Sequence, residues 1–185
     1  MSLLPSSARR WAPIALAVVV LDQLTKWWAL NTLDDRDIDL FWTLRFNLSF
    51  NNGMAFSQGE GLGPVIGVLA LVVIVALVLS VRREDNALAD VAVGLIVGGA
   101  IGNVIDRLFR DPAWMRGAVV DFIDFQWFPI FNVADMGITI GGILLIAVSW
   151  WSARQAEQAE QAEQADGVAG DGAGETNDSP ESKDA

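Results

Sequence analysis

Five aspartates are the residues here that could do chemistry: Asp22, Asp106, Asp121, Asp124 and Asp135. They stand in a chain of 185 residues with no His, no Cys and no Tyr. Without His there is no Ser-His-Asp triad and no imidazole metal ligand. Without Cys there is no thiolate nucleophile, disulfide or zinc–thiolate site. Acid–base work near neutral pH therefore falls to carboxylates or Lys with displaced pKa values. Two carboxylates sharing a proton can supply both halves of such work. One takes a proton from water while its neighbour protonates or polarises a carbonyl, and their like charges split the two pKa values.

The elements that must position these acids are apolar. The chain is 52% hydrophobic and only 19% charged. Four stretches, at about 11–30, 64–81, 87–105 and 131–151, approach the roughly 20 residues that cross a bilayer core as helix. The first lacks a small-x-small cleavage site and reads as a retained helix. A charged side chain in hydrocarbon costs on the order of 3 kcal/mol. Asp22, Asp106 and Asp135, inside or at the ends of these stretches, therefore need a reason to be there. Arg9, Arg10, Arg82, Arg83 and Arg154 lie beside the ends that would face the cytoplasm, which favours both termini inside. In that topology Asp22, Asp106 and Asp135 converge at the outer leaflet. Asp121 and Asp124 join them on an amphipathic loop, 119–125, along the outer interface.

Each acid alone has a structural explanation. Asp22 and Lys26 are four apart on one helix face. Asn132 could cap a helix, with Asp135 three residues on. Asp106 and Arg107 could close one. Together, and with Asn51, Asn103 and Asn132 nearby, they are better explained as a site.

Between the first two apolar stretches the period changes. Leu44, Phe46, Leu48 and Phe50 alternate with Arg45, Asn47, Ser49 and Asn51, and Asn52-Gly53 follows. This predicts a strand and tight turn in a small extracytoplasmic sheet, its apolar face on the lipid interface or on the helices. Gly94, Gly98 and Gly102 form one stripe, Gly137 and Gly141 another, and such stripes let membrane helices approach closely. Asp106 continues the first stripe by one turn. Trp11, Trp27, Trp28, Trp114, Trp127, Trp150 and Trp151 fall near segment ends, as an interfacial belt would place them. The formal net charge of −11 is concentrated in residues 155–185, which hold nine acids against Lys183. Three Ala-Glu-Gln repeats there extend the last helix, and the rest reads as disordered. The predicted organisation is a membrane domain, 1–154, with an acidic cytoplasmic tail, 155–185. No basic face invites nucleic acid.

Five motifs carry a resemblance: Asp22-Gln-Leu-Thr-Lys26, Asn51-Asn-Gly53-Met-Ala-Phe56, Gly102-Asn103-Val-Ile-Asp106-Arg107, Val119-Val-Asp121-Phe and Phe131-Asn132-Val-Ala134-Asp135. In order and approximate spacing they resemble the lipoprotein signal peptidases (signal peptidase II) over about residues 10–150. The resemblance implies an all-α membrane protein with four transmembrane helices, a small extracytoplasmic sheet, and a short extracytoplasmic helix within 111–128. It implies an aspartic endopeptidase of the bacterial cell membrane that cuts prolipoproteins just before the diacylglyceryl-modified Cys, with membrane lipid as its surroundings. By motif matching Asp121 and Asp135 would be catalytic, and the resemblance implies no metal and no cofactor. Asp22, Lys26, Asn51, Gly53, Asn103, Asp106, Arg107, Asn132 and Ala134 would bind substrate or brace the site. The interval from Asp121 to Asp135 is shorter than in many relatives, which implies a shorter loop over the site.

Two other classes compete. A small ion- or proton-coupled transporter would use the acids as a relay, and predicts internal repeats or acids at the midplane; neither is present. A non-catalytic scaffold packing through its glycines would tolerate Asp→Asn at 121 and 135.

Overall fold

The computed structural model describes residues 8–52, 68, 69, 72, 75, 76, 86–111 and 117–174. The chain divides into two compact units, Met1–Leu145 and Ile146–Ala185. In order, the elements are α1 (Ala8–Thr32), β1 (Ile38–Phe41), β2 (Leu44–Asn51), α2 (Ala87–Phe109), β3 (Val119–Asp124) and α3 (Val133–Gly174). Three described helices are long and apolar enough to cross a membrane, at Arg10–Thr32, Ala87–Phe109 and Val133–Glu163. The expected second span, 64–81, lies mostly outside the described residues. Those described within it (Val68, Leu69, Val72, Val75 and Ala76) are helical.

The helix ends have local causes. Asn86 caps α2, its side chain accepting from the backbone N–H groups of Leu88 at 3.0 Å and Ala89 at 3.2 Å. Asn132 and Asp135 cap α3 reciprocally. The Asp135 N–H donates to Asn132 Oδ1 at 2.9 Å, and the Asn132 N–H to Asp135 Oδ2 at 3.2 Å. In the second unit, α3 runs on through the Ala-Glu-Gln repeats to Gly174, with exposed side chains to residue 163.

The glycine stripes close helix on helix as predicted. A Cβ added at Gly98 would lie 2.6 Å from the Ala15 carbonyl oxygen and 2.7 Å from Val18 Cβ, so α1 and α2 touch backbone to backbone there. At Gly141 it would lie 2.7 Å from the Ala92 carbonyl. Gly142, one residue on, has nothing within 4 Å. Gly98→Val should therefore force the helices apart and lower stability by about 1–3 kcal/mol, the usual cost of overpacking. Gly142→Ala should leave stability unchanged or slightly raised. Thermal unfolding in detergent compares the two; equal midpoints would show that the stripe carries no packing load.

The sheet order is β1-β2-β3, antiparallel throughout. β2 is the predicted strand, and its apolar face rests on a helix. Phe46 and Phe122 pack edge-on against Trp28, with centroids at 5.2 and 6.1 Å, around buried Ala29 and Leu33. β3 corrects the expectation of an interfacial loop at 119–125; the short helix expected within 111–128 involves residues 112–116, which lie outside the described residues. Residues 119–124 are the third strand, and among the described residues of 111–128 none is helical. Their partner is β2, with Ser49 opposite Asp121 and Asn51 opposite Val119. That pairing partner lies far away in the chain, so local spacing alone did not betray the strand. β1 was not anticipated. The turn read at Asn52-Gly53 lies largely outside the described residues.

Candidate active site

The sheet, α1, α2 and the start of α3 bring their polar residues to one place. Asp22, Lys26 and Asp106 are fully buried. Lys26 Nζ sits 2.8 Å from Asp22 Oδ2 and 2.8 Å from Asp106 Oδ2, and donates to Asn103 Oδ1 at 3.0 Å. The remaining oxygens of the two acids are also occupied. Asp22 Oδ1 accepts from the Ala134 N–H at 2.9 Å, and Asp106 Oδ1 from Arg110 Nε at 2.7 Å. Asp106 Oδ2 also accepts from the Val120 N–H at 3.2 Å, which ties β3 to α2.

Asp121 and Asp135 differ in kind. Among the described residues their hydrogen-bond donors are amides. Asp121 accepts from Asn132 Nδ2 at 2.6 Å and Asn51 Nδ2 at 3.3 Å. Asp135 accepts from Asn103 Nδ2 at 2.8 Å and from the Asn132 backbone. Among the described residues no cationic nitrogen lies within ion-pair distance of either.

The orientation of both bridging amides is forced. Lys26 can only donate, so the oxygen of Asn103 must face it and the nitrogen must face Asp135. The Asp135 backbone N–H can only donate, so the oxygen of Asn132 faces it and the nitrogen faces Asp121. Asn132 Nδ2 also reaches Asn103 Oδ1 at 3.2 Å, joining the two amides.

Asp121 is buried, whereas Asp135 is half-exposed. Burial, reinforced by the charge of Asp135, pushes the Asp121 carboxyl up to about 7 against the opposing hydrogen bonds from Asn132 and Asn51. A carboxyl that holds its proton near neutral pH beside another carboxylate is suited to paired acid–base work.

Asp124 serves elsewhere. Three residues along the same strand it faces the opposite side, where it accepts from Arg45 Nε at 2.7 Å and Asn47 Nδ2 at 3.3 Å. Although burial opposes its ionisation, the Arg45 guanidinium and the Gln126 N–H outweigh that and hold its pKa below the usual carboxylate range.

The short interval from Asp121 to Asp135 is closed by a hairpin-like return. Phe131 bridges back to Ile123, with N–H to O distances of 2.9 and 3.1 Å, and delivers Asn132 beside β3. Arg107 is buried within electrostatic reach of Asp121, Asp106 and Asp135. Gly53 lies outside the described residues. Two participants were missed in the sequence. Gln23 reaches Asp22, the Gly102 carbonyl and Asp106 at 3.1–3.3 Å, and Arg110 sits one turn beyond Asp106. Their spacing on the helices, next to Asp22 and four after Asp106, was the available signal. A groove of about 600 Å³ opens beside Arg110, lined by Leu30, Phe50, Phe109, Arg110, Asp111 and Ala118. Among the described residues no group of three or more acids is arranged to hold a metal ion.

Comparison with known proteins adds to this geometry. Residues 14–151 match a family profile described as Signal peptidase (SPase) II. The chain is similar to the lipoprotein signal peptidase of Mycobacterium leprae, 38% identical over 147 residues that cover 78% of this chain and 73% of that one. It is also similar to that of Hydrogenovibrio crunogenus, 40% identical over 162 residues, 82% of this chain and 91% of that one. Among solved structures it is similar to a bacterial membrane enzyme with a TM-score of 0.68 at 33% identity, covering 77% of this chain and 88% of that one.

Proposed function

This chain belongs to the signal peptidase II family, and from that premise we propose that Asp121 and Asp135 are its catalytic pair. The protein is a membrane aspartic endopeptidase of the bacterial cell membrane that removes signal peptides from prolipoproteins, cutting just before the lipid-modified Cys. Both termini face the cytoplasm and the site lies near the outer leaflet. The substrate's apolar signal peptide and acyl chains arrive by lateral diffusion, which suits a site at the mouth of membrane helices beside a groove that combines Leu30, Phe50, Phe109 and Ala118 with Arg110 and Asp111.

The observation that carries the assignment is the division among the acids. Asp22 and Asp106 are committed to Lys26, and Asp124 to Arg45. Asp121 and Asp135, held by neutral amides, are left to share a proton. In the reaction the ionised member takes a proton from water, the new hydroxide oxygen bonds to the scissile carbonyl carbon, and the protonated member gives its proton to the carbonyl oxygen. Collapse returns the carbonyl and breaks the C–N bond, with a proton passing to the leaving amine. Asn103 and Asn132 hold the carboxylates in place throughout. Asn51, Arg107 and Ala134 line or brace the site, and the family motif assigns the same part to Gly53. A relay for transport is disfavoured, because Asp22 and Asp106 are already bound to one Lys.

Purified protein should cleave a diacylglyceryl-modified prolipoprotein peptide in detergent; a protein that binds this peptide and never cuts it would overturn the reading. Its kcat/KM should fall as pH rises through about 7, because Asp121 then loses the proton that the reaction needs. The same shift has a stability consequence. Between 3.8 and about 7 the folded state keeps a proton that the unfolded chain has released, so stability falls as pH rises across that window. A pH–rate profile that stays flat from 6 to 9 contradicts the first expectation.

The peptidase occupies residues 1–154, and the acidic tail, 155–185, takes no part in the chemistry. A chain ending at Arg154 should retain activity within about twofold at equal membrane abundance, since surface changes away from a site have small effects. A tenfold loss would assign the tail a role.

A further inference from the structure

Seven of the eight tryptophans lie near the ends of apolar stretches, where an interfacial belt puts them. Trp42 does not. It forms the tip of the β1–β2 hairpin with a backbone φ of 52° and is 92% exposed, and its neighbour Phe41 is 69% exposed. Positive φ is uncommon for a bulky residue, and tight hairpin turns ordinarily place Asn or Gly there. Among the described residues nothing in the packing of the sheet accounts for an aromatic at that position.

The register shows what lies next to it. Phe41 pairs with Leu44 and Arg45 pairs with Asp124, so the hairpin tip stands at the end of the sheet where β3 runs out. From there the chain turns through Gln126, also at positive φ (65°), and returns at Phe131. Trp127 is 72% exposed and Phe128 51%, their rings 6.0 Å apart, and Phe128 lies 6.0 Å from Phe131. Asn132 follows and caps α3, whose span begins at Val133. The loop therefore stands at the level where a span leaves the bilayer. Scattered exposed aromatics need no explanation, but large ones gathered at one end of a sheet, continuous with a span, do. The Arg45 guanidinium pairs with Asp37 at 3.0 Å and Asp124 at 2.7 Å, so it offsets part of the negative charge behind the tip.

We propose that Phe41 and Trp42 of the hairpin tip, with Trp127 and Phe128 of the neighbouring loop, form one aromatic foot that enters the headgroup–acyl boundary of the leaflet at the sheet's end of the spans. Indole and phenyl rings favour that depth, and they supply contact area without a spanning segment. The foot gives the sheet a hold on the bilayer apart from the helices, and so sets the height of Asn51 and Asp121, which the sheet carries. The inference rests on the spans and the sheet, not on the peptidase reading, and its test reads no activity.

The absence of cysteine makes the test direct. Trp42→Cys, Trp127→Cys and, as a reference in the exposed α1–β1 loop, Asp34→Cys are each labelled with an environment-sensitive fluorophore. The full-length proteins are then reconstituted in phosphatidylcholine vesicles. Nitroxide-bearing phospholipids should quench the labels at 42 and 127 several-fold more than the label at 34, and aqueous iodide should show the reverse order. A label at 42 that iodide reaches as readily as the one at 34 overturns the foot, even if the label at 127 is embedded. So does an embedded 42 beside a wholly aqueous 127, because the two halves must enter together. A blue-shifted emission at 42 that persists in lipid-free detergent-exchanged protein, with no nitroxide quenching in vesicles, also overturns it, by showing that the tip is buried in protein.

Discussion

Asp121→Asn and Asp135→Asn should each lower cleavage of a lipidated prolipoprotein peptide by a factor on the order of 1,000 or more, the scale on which removal of a positioned acid or base acts. The substitutions are nearly isosteric, so they test proton chemistry and not packing. Asn at 121 can still accept from Asn132 through its one oxygen and gives up only the longer bond from Asn51, at 3.3 Å, and Asn at 135 can still accept from Asn103 while giving up the bond from the Asn132 N–H. Both variants should therefore fold, insert and bind a peptide-like inhibitor. Neither can hold and release the shared proton. Asp124→Asn is the matched control. It weakens the pair with Arg45, on the face of β3 away from Asp121, and should keep substantial activity. Asp106→Asn should fall between, because it loosens the ion pairs to Lys26 and Arg110 and the bond to the Val120 N–H. All four are assayed at equal membrane abundance. Robust turnover by the 121 or 135 variant, or a dead 124 variant beside a live 121 variant, would sink the assignment.

That ranking shows how far the sequence alone could be read. Helical spans announce themselves by length and apolar content, and close-packing stripes by a four-residue interval. Both are local patterns, and Gly98 and Gly141 indeed meet neighbouring backbone. The Asn132–Asp135 cap was legible for the same reason. The convergence of acids on one end of the spans followed from tracing the chain back and forth across a bilayer. The division of labour among them did not. Whether an acid is free for chemistry depends on which cation stands opposite; the Asp22–Lys26 pair was legible as a four-residue interval, but other partners come from other elements: Lys26 on α1 holds Asp106 on α2, and Arg45 on β2 holds Asp124 on β3. β3 was hidden for a related cause. Its two acids, three apart among apolar residues, suit an interfacial loop as well as a strand, and only pairing with β2 decides. β1 is four residues long, too short to show a period against its flanking acids.

The second large effect belongs to Lys26, and it separates stability from catalysis. Its ammonium is fully buried between Asp22 and Asp106. Lys26→Met removes the charge and keeps most of the volume, which leaves two buried carboxylates with, among the described residues, Arg110 as their remaining ion-pair partner, on Asp106 alone. Breaking a buried pair in this way costs about 3–5 kcal/mol, enough to unfold a marginal protein. Adding Asp22→Asn to that variant removes one of the stranded charges, while the amide oxygen at 22 can still accept from the Ala134 N–H. The double variant should recover much of the lost stability. It should not recover activity. Lys26 is also the closer donor that turns the oxygen of Asn103 inward and its nitrogen toward Asp135; without it only Asn132 Nδ2, at 3.2 Å, still holds that oxygen, and the amide presents its N–H to Asp135 less firmly. Lys26→Arg is no remedy, since a guanidinium is larger than the closed site and presents a different fork of donors. Thermal unfolding and peptide cleavage are measured on the same detergent preparations. If the double variant regains activity along with stability, Lys26 is only structural and the positioning route through Asn103 is wrong. If Lys26→Met melts with the parent, the three-residue charge cluster holds nothing together, and the physical distinction between committed and uncommitted acids fails with it.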